Sequence, residues 1–330
     1  MIIKNLMENY RNTLVTVCIT TYNRENLLPK TVKSVLNQTY NNLQVIIVDD
    51  HSKDGTEKLV KNILLKHDNR IQYLKHDQNL GLAAARNSGI RNAKGKYFTF
   101  VDDDDRWEPN FVEEFVTIAK RLDSQWCFVC GNKYKGRGNR IRIKYPAYEG
   151  KLKNIILQGF TPPVASQFYF TKSLIKIGGY NEKVTSGIDH DLWLRLAEKG
   201  ISVKSISSAL SVPNDKFDLQ KMTGQRNIRT ERIKNSLLIW QNQVEKTFGK
   251  GFFKHFCKQY NIYLQYCSCY KEIISKKYFR AFLMFIDARY KHEILTKIGR
   301  TLINQFTNRK LDIFQDGPLF KPYLYHEKFK

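Results

Sequence analysis

The chain has no apolar run approaching the roughly 20 residues that a membrane-spanning helix needs. Its densest late patch, Ala281-Phe282-Leu283-Met284-Phe285-Ile286, is far too short. It also has no G-x-G-x-x-G after its first β-rich run and no G-x-x-x-x-G-K-S/T, which removes the dinucleotide fingerprint and the Walker-type phosphate loop. Cysteine is scarce, with six in 330 residues. Cys127 and Cys130 lie in Trp126-Cys127-Phe128-Val129-Cys130, which reads as a buried strand with its two thiols on opposite faces. Cys267 and Cys269 fall far away in a helical pattern, so the spacing argues against zinc and fits a reducing compartment. No apolar core or cleavage site marks the first residues, so secretion is not expected. Acid is the last shortage: 31 Asp and Glu face 55 Lys and Arg, a net charge of +24. From Lys216 onward there are 23 basic and nine acidic residues, +14, which leaves +10 for residues 1–215. Nucleic acid, an anionic membrane surface and a phosphorylated substrate are the partners such a charge admits.

What acid there is gathers in one place. Phe100-Val101-Asp102-Asp103-Asp104-Asp105-Arg106-Trp107 sets four consecutive carboxylates directly behind an apolar run that begins at Tyr97. Adjacent like charges repel and resist burial, so the cluster calls for a cation. Hard oxygen ligands suit Mg²⁺ or Mn²⁺, which take one or two protein carboxylates and complete their shell with water and substrate phosphates. The plainer alternative is a solvated turn that caps the helix after Pro109.

Around the cluster the chain alternates strand and helix. Leu14 to Thr20 is β-rich, and Asn23 is placed to cap a helix carrying Leu27, Leu28, Val32, Val35 and Leu36. Leu43 to Val48 is a second buried strand, Glu57 to Leu65 a helix, Ile71 to Leu74 a third strand, and Tyr97 to Val101 a fourth. This order predicts an α/β fold with a mostly parallel central sheet. Ligands of such sheets collect at the carboxyl ends of the strands, where Thr20, Asp50 and Asp102 to Asp105 fall. Residues 110–122 read as helix, 126–130 and 167–170 as strands, and Lys133 to Arg140 as a basic loop.

Five segments carry a resemblance. They are Thr20-Thr21-Tyr22-Asn23-Arg24, Val48-Asp49-Asp50-His51-Ser52-Lys53-Asp54-Gly55-Thr56, Gly81 to Gly89, Val101 to Trp107, and Gly178-Gly179-Tyr180-Asn181-Glu182 followed by Asp189-His190-Asp191-Leu192-Trp193-Leu194-Arg195. In order and spacing the chain resembles glycosyltransferase family 2 over roughly its first 215 residues.

The resemblance implies a GT-A fold, a Rossmann-like nucleotide-diphospho-sugar transferase domain, and an inverting single displacement. The donor would be a nucleotide-sugar, a UDP-sugar first of all. Thr20, Tyr22 and Asp50 would line the base pocket, with Asp50 accepting the uracil ring N–H. For Asp49 and Asp50 a helix-capping turn is the alternative, and Asp54 is expected to do only that. Arg86 would sit near the diphosphate or base, with a surface ion pair as its other reading. Asp102 and Asp104 match D-x-D: Asp104 would ligate Mn²⁺ or Mg²⁺ together with Asp102, and Asp102 or Asp103 would hold the ribose. Asp189 would be the catalytic base, with Asp191 as fallback because Ile188 replaces the usual preceding acid. The alternative makes Asp189 the N-cap of its helix and Asp191 a first-turn dipole partner.

Residues 1–215 are thus expected to form the catalytic domain, with a nucleotide-sugar half at about 14–107 and an acceptor half at about 108–215. Residues 216–330 read as a basic appendage with amphipathic helices near 227–247, 251–274, 276–288 and 291–306. Gln225, Arg226 and Arg229 faintly resemble the Q-x-x-R-W element of processive synthases, but no Trp follows, so transfer of one sugar is expected. The implied acceptor is a glycan on polyprenyl diphosphate, for O-antigen or capsule, met at the inner face of the cytoplasmic membrane by a cytoplasmic or peripheral enzyme. No nucleic acid is expected. A nuclease or nucleic-acid-binding protein would leave Asp50 and Asp189 without a role. A nucleotidyltransferase would carry a glycine-rich basic stretch where Thr20 to Asn23 stand.

Overall fold

The computed structural model describes residues 13–135, 141–144, 148–157, 166–212, 226–255 and 257–258. Two compact units divide the chain, Met1–Lys153 with Pro162–Ser236, and Asn154–Thr161 with Leu237–Lys330.

The elements of the chain are built on β-branched and aromatic runs. In chain order they give β1 (Val15–Thr21), α1 (Leu28–Leu36), β2 (Leu43–Asp49), α2 (Thr56–Leu59, continued by a wider turn at Val60–Leu64 and by Leu65–His67), β3 (Ile71–Lys75), α3 (Leu82–Arg91) and β4 (Tyr97–Asp102). Then follow β5 (Arg106–Trp107), α4 (Phe111–Ala119), β6 (Trp126–Lys135), β7 (Ile141–Lys144), β8 (Glu149–Lys151), α5 (Leu152–Leu157), β9 (Gln167–Phe170), α6 (Thr171–Lys176), α7 (Ile188–Glu198), β10 (Ser202–Val212) and α8 (Arg226–Phe248). All seven residues of β1 are buried, as strands covered on both faces require.

The strands among the described residues form one sheet in the order β3-β2-β1-β4-β9-β6-β10-β5, with β7 on β6 and β8 on β10. The first four are parallel. Beyond β4 the sheet is mixed: β9 runs antiparallel to both β4 and β6, while β6 and β10 are parallel. The expected parallel sheet therefore describes β1 to β4, and the rest of the sheet is mixed because β9 enters between β4 and β6 in the opposite sense. Register decides where the acids end up. Thr20 is level with Val48 on one side and Asp102 on the other, and Thr21 is level with Asp49, so all three strands stop at one edge.

Helices cover this sheet at close range. Leu28, Val32 and Val35 of α1 and Phe111, Phe115 and Val116 of α4 are buried in the same core as Val17, Ile47, Phe128 and Phe168. Phe115 stacks on Phe168 at 5.0 Å. In α3 every residue from Ala83 to Ile90 is buried. Gly89 permits that approach, because a Cβ there would stand 2.3 Å from the Cys18 sulfur.

Several expectations change. Asn23 does not cap α1, whose N-cap is Leu27; its backbone takes φ +54° and its amide oxygen accepts the Lys53 N–H instead. A helix does span 226–248. The second unit buries Ile155, Ile156, Trp240, Val244 and Phe252. The helices expected at 276–288 and 291–306, the loop tip 136–140 and Gln225 lie outside the described residues. No helix of the described residues is long and apolar enough to cross a membrane.

Candidate active site

The loops that leave β1 and β2 are laced together, which fixes the carboxyl edge of the sheet. The Asp50 N–H donates to the Thr21 carbonyl, and the Asn23 N–H donates to the Ser52 hydroxyl at 2.9 Å. Tyr22 lies between the anchored Thr21 and Asn23 in the chain and is 44% exposed. Asp49 is wholly structural: it accepts the Ser52 N–H at 2.7 Å and the Tyr73 hydroxyl at 2.6 Å. Asp54 is not the N-cap of α2, which is Gly55, but it accepts the Thr56 N–H and hydroxyl at the start of that helix and also the Glu25 N–H.

Asp50 is no capping residue. Its Oδ1 receives the His76 ring and the Leu80 N–H, both at 2.8 Å, and its Oδ2 receives the Gly81 N–H at 2.7 Å. This carboxylate draws the 76–81 segment over the end of β2.

The acidic turn sorts into four different environments. Asp102, at the end of β4, is 29% exposed and pairs with Arg86 at 2.9 Å. Asp103 turns inward and accepts the Thr21 hydroxyl at 2.7 Å. Burial pushes its carboxyl up to about 7, with the Thr21 bond opposing. Asp104 is part-exposed, and Asp105 is buried. The Thr31 hydroxyl of α1 lies within hydrogen-bond distance of the Asp103 and Asp105 carbonyl oxygens, at 2.8 and 2.7 Å, and fastens the turn from below. Among the described residues no three His, Cys, Asp or Glu side chains gather as a metal site. The donor set still fits Mg²⁺ or Mn²⁺, because two part-exposed carboxylates, Asp102 and Asp104, are what such a cation takes when substrate phosphates supply the remaining oxygens.

Arg86 departs furthest from the sequence reading. It is 1% exposed, so the surface ion pair is excluded. Its guanidinium lies 3.8 Å over the Phe100 ring and 5.3 Å from that of Tyr180, and it donates from Nη2 to Asp102 and from Nη1 to Asp189 at 2.8 Å. One buried cation thus joins the end of β4 to the start of α7. Burial raises the Asp189 carboxyl above its ordinary range; Arg86, then Gln167, pull it back. Asp189 is not the N-cap, since Gly187, at φ +74°, holds that position and Asp189 lies in the first turn. Asp191 stands apart: it is 1% exposed, pairs with Arg195 at 2.7 Å, and Arg195 also holds the Ile177 and Gly179 carbonyls. The two aspartates therefore divide into one facing the sheet edge and one holding the 177–179 turn.

Residues the sequence reading passed over complete the site. Gln167 of β9 accepts the Trp193 indole N–H at 3.0 Å and the Tyr169 hydroxyl, which leaves its amide N–H to Asp189. Asn87 donates to the Tyr180 carbonyl and accepts the Tyr180 N–H, fixing the ring beside Arg86. A lone Gln in a strand and an Asn in a helix carry no signal of this in the sequence, since Trp193 lies 26 residues from Gln167 and Tyr180 lies 93 from Asn87.

A parallel strand–helix half with acids at its carboxyl edge, extended by a mixed half that returns an aspartate to that edge, is the GT-A arrangement. Residues 16–178 match the model of glycosyl transferase family 2 and make up a domain of that family. A glycosyltransferase of uncharacterised function from Rickettsia typhi is 29% identical over 264 residues, 77% of this chain and 76% of its own length. The GalNAc(5)-diNAcBac-PP-undecaprenol β-1,3-glucosyltransferase of Campylobacter jejuni is 30% identical over 189 residues, 55% of this chain and 59% of that protein. A further uncharacterised glycosyltransferase, from Rickettsia felis, is 31% identical over 191 residues, 56% of this chain but only 31% of that protein. The chain thus spans between about a third and three-fifths of several curated relatives. The crystal structure of S. aureus TarS 1-349, also solved in complex with UDP, superposes at a TM-score of 0.51 with 17% identity, covering 92% of this chain and 89% of that one.

Proposed function

We propose that the chain moves one hexose or N-acetylhexosamine from a UDP-sugar to a hydroxyl of a glycan acceptor carried on polyprenyl diphosphate, with inversion at the anomeric carbon. The observation that carries this is the Asp102–Arg86–Asp189 bridge. It supports this reading because it ties Asp189, a largely buried carboxylate, to Asp102 at the end of β4. The UDP-bound structural neighbour and the undecaprenol-linked substrate in the name of the Campylobacter relative support the choice of donor and acceptor.

In this reading Asp50 accepts the uracil N–H, Tyr22 and Thr20 line the base, and Asp102 rather than the inward Asp103 meets the ribose. Asp102 and Asp104 hold Mn²⁺ or Mg²⁺, which when bound offsets charge on the departing nucleoside diphosphate. Asp189 takes the proton of the acceptor hydroxyl as its oxygen attacks. Burial raises its basicity, and Arg86 and Gln167 keep its oxygens aimed. Family membership gives the acidic turn a role without nucleic acid, so the nuclease and nucleotidyltransferase readings lose their motive.

Calorimetric titration with UDP tests the donor half. Binding is expected with Mn²⁺ and is expected to vanish in Asp104→Ala, whose melting temperature should hold because the turn loses a repulsive charge. Metal-dependent UDP binding that survives in Asp104→Ala would reject the ligand assignment. The basic final third motivates a second measurement. At roughly 1 kcal/mol per Lys or Arg near an anionic surface, four contacts hold a protein loosely. The full chain should co-sediment with anionic liposomes at low salt and be released as salt screens the contacts. Absence of binding at low salt rules out peripheral attachment through charge.

A further inference from the structure

The donor pocket contains a second array that the proposed chemistry leaves unused. His76 stands between Asp50 and Ser88, its Nδ1 2.8 Å from the Asp50 Oδ1 and its Nε2 2.8 Å from the Ser88 hydroxyl oxygen. The Arg91 guanidinium donates to the same hydroxyl at 2.8 Å. The three side chains are nearly enclosed, with His76 11% and Asp50 7% exposed and Ser88 8%. An Asp–His–Ser order invites comparison with a hydrolase triad, but Ser88 lies inside α3 with its hydroxyl already engaged by two partners. It has no face from which to attack a carbonyl.

The Asp50 end of the array is fixed in direction. Asp50 is an acceptor only, so Nδ1 carries a proton and donates to it, while Nε2 is held on its far side by the Ser88 hydroxyl, whose oxygen accepts from Arg91. The consequence falls on Asp50. Its Oδ1 already receives two donors, His76 and the Leu80 N–H, whereas Oδ2 receives the Gly81 N–H alone. A carboxylate oxygen offers about two lone-pair sites. One acceptor site therefore remains, on Oδ2, in a carboxylate that cannot rotate to offer another.

We propose that His76 is the positioning residue of the nucleobase pocket. Backed by Ser88 and Arg91, it orients Asp50 so that its single open acceptor selects a pyrimidine bearing a ring N–H over one whose ring nitrogen carries a lone pair. This rests on the reading of Asp50 as the base-binding residue. Uracil presents the N–H; cytosine presents a lone pair that an oriented carboxylate oxygen repels.

The test compares UDP with CDP by calorimetry, with Mn²⁺, on the full chain and on two polar variants of His76. In His76→Asn the side-chain amide N–H replaces Nδ1 and still reaches Asp50. In His76→Gln the amide reaches toward Ser88 and leaves Asp50 without that donor. Thermal melting confirms that both are folded. The expected result is a wild-type preference for UDP that His76→Asn retains. His76→Gln should bind UDP about tenfold more weakly, as the loss of one hydrogen bond to a charged group predicts, with little change for CDP. A UDP-to-CDP ratio that is the same in both variants as in the wild type overturns the assignment to His76 and leaves the donor reading standing. A wild-type protein that binds neither nucleotide overturns the donor reading, and the role of His76 with it.

Discussion

Asp189→Asn is expected to lower kcat by at least the ~10²-fold that general-base loss brings, with UDP affinity nearly unchanged. Asparagine keeps the volume and can still accept the Arg86 bond through its amide oxygen, so the bridge loses charge but not shape. What it loses is the ability to take a proton. Asp191→Asn is the comparison. That carboxylate holds Arg195 within the fold, so its loss should show in thermal stability before it shows in kcat. The reverse profile, with kcat falling in Asp191→Asn and holding in Asp189→Asn, would exchange the two roles. The wild-type pH profile carries the same signature. A base works deprotonated, and burial raises the Asp189 pKa, so the acid limb of kcat should lie above the ordinary carboxylate range and vanish in Asp189→Asn.

Arg86→Met is expected to cost about 3–5 kcal/mol of stability, the range for removing one partner of a buried ion pair. Methionine fills much of the space against Phe100 and Tyr180, so packing accounts for little of the loss. The cost comes from Asp102 and Asp189, two partly shielded carboxylates left close together with no cation between them. Chemical denaturation measures it, and Arg86→Met/Asp189→Asn should regain part of the loss by removing one of the two stranded charges. A single variant as stable as the wild type would show that the carboxylates are solvated and the bridge is incidental.

How far the sequence revealed this site follows from the range of the interactions. β1, β2 and β4 were legible because Val, Ile and Phe runs end on Thr or Asp, so the strand signal and the functional edge share the same few residues. Asp50 and the acidic turn were placed by that edge alone. Arg86 was not legible as a buried charge. A helix that reads Leu-Ala-Ala-Ala-Arg-Asn-Ser-Gly has a weak apolar face, and its burial comes from Gly89 letting α3 settle on Cys18. Asn23 was misread because a cap is a local inference, whereas its amide answers a backbone N–H 30 residues away. Gln167 carried no signal, since its meaning depends on Trp193 and Asp189, which only the mixed half of the sheet brings near. β5 and β10 were passed over for the same reason, because they exist through pairing with each other and with β6.

The insertion of β9 between β4 and β6 bears on how the chain comes off the ribosome. Every side chain proposed to meet the donor has been synthesised by Asp104, yet at that point β4 is paired with β1 alone and presents an open edge of aromatic and β-branched residues. Arg86 then has Asp102 but lacks Asp189, which arrives 103 residues later. An unprotected edge of this kind is a template for pairing with other chains. A nascent chain halted before Gln167 would therefore expose an open strand edge together with a buried cation that lacks one of its two carboxylates.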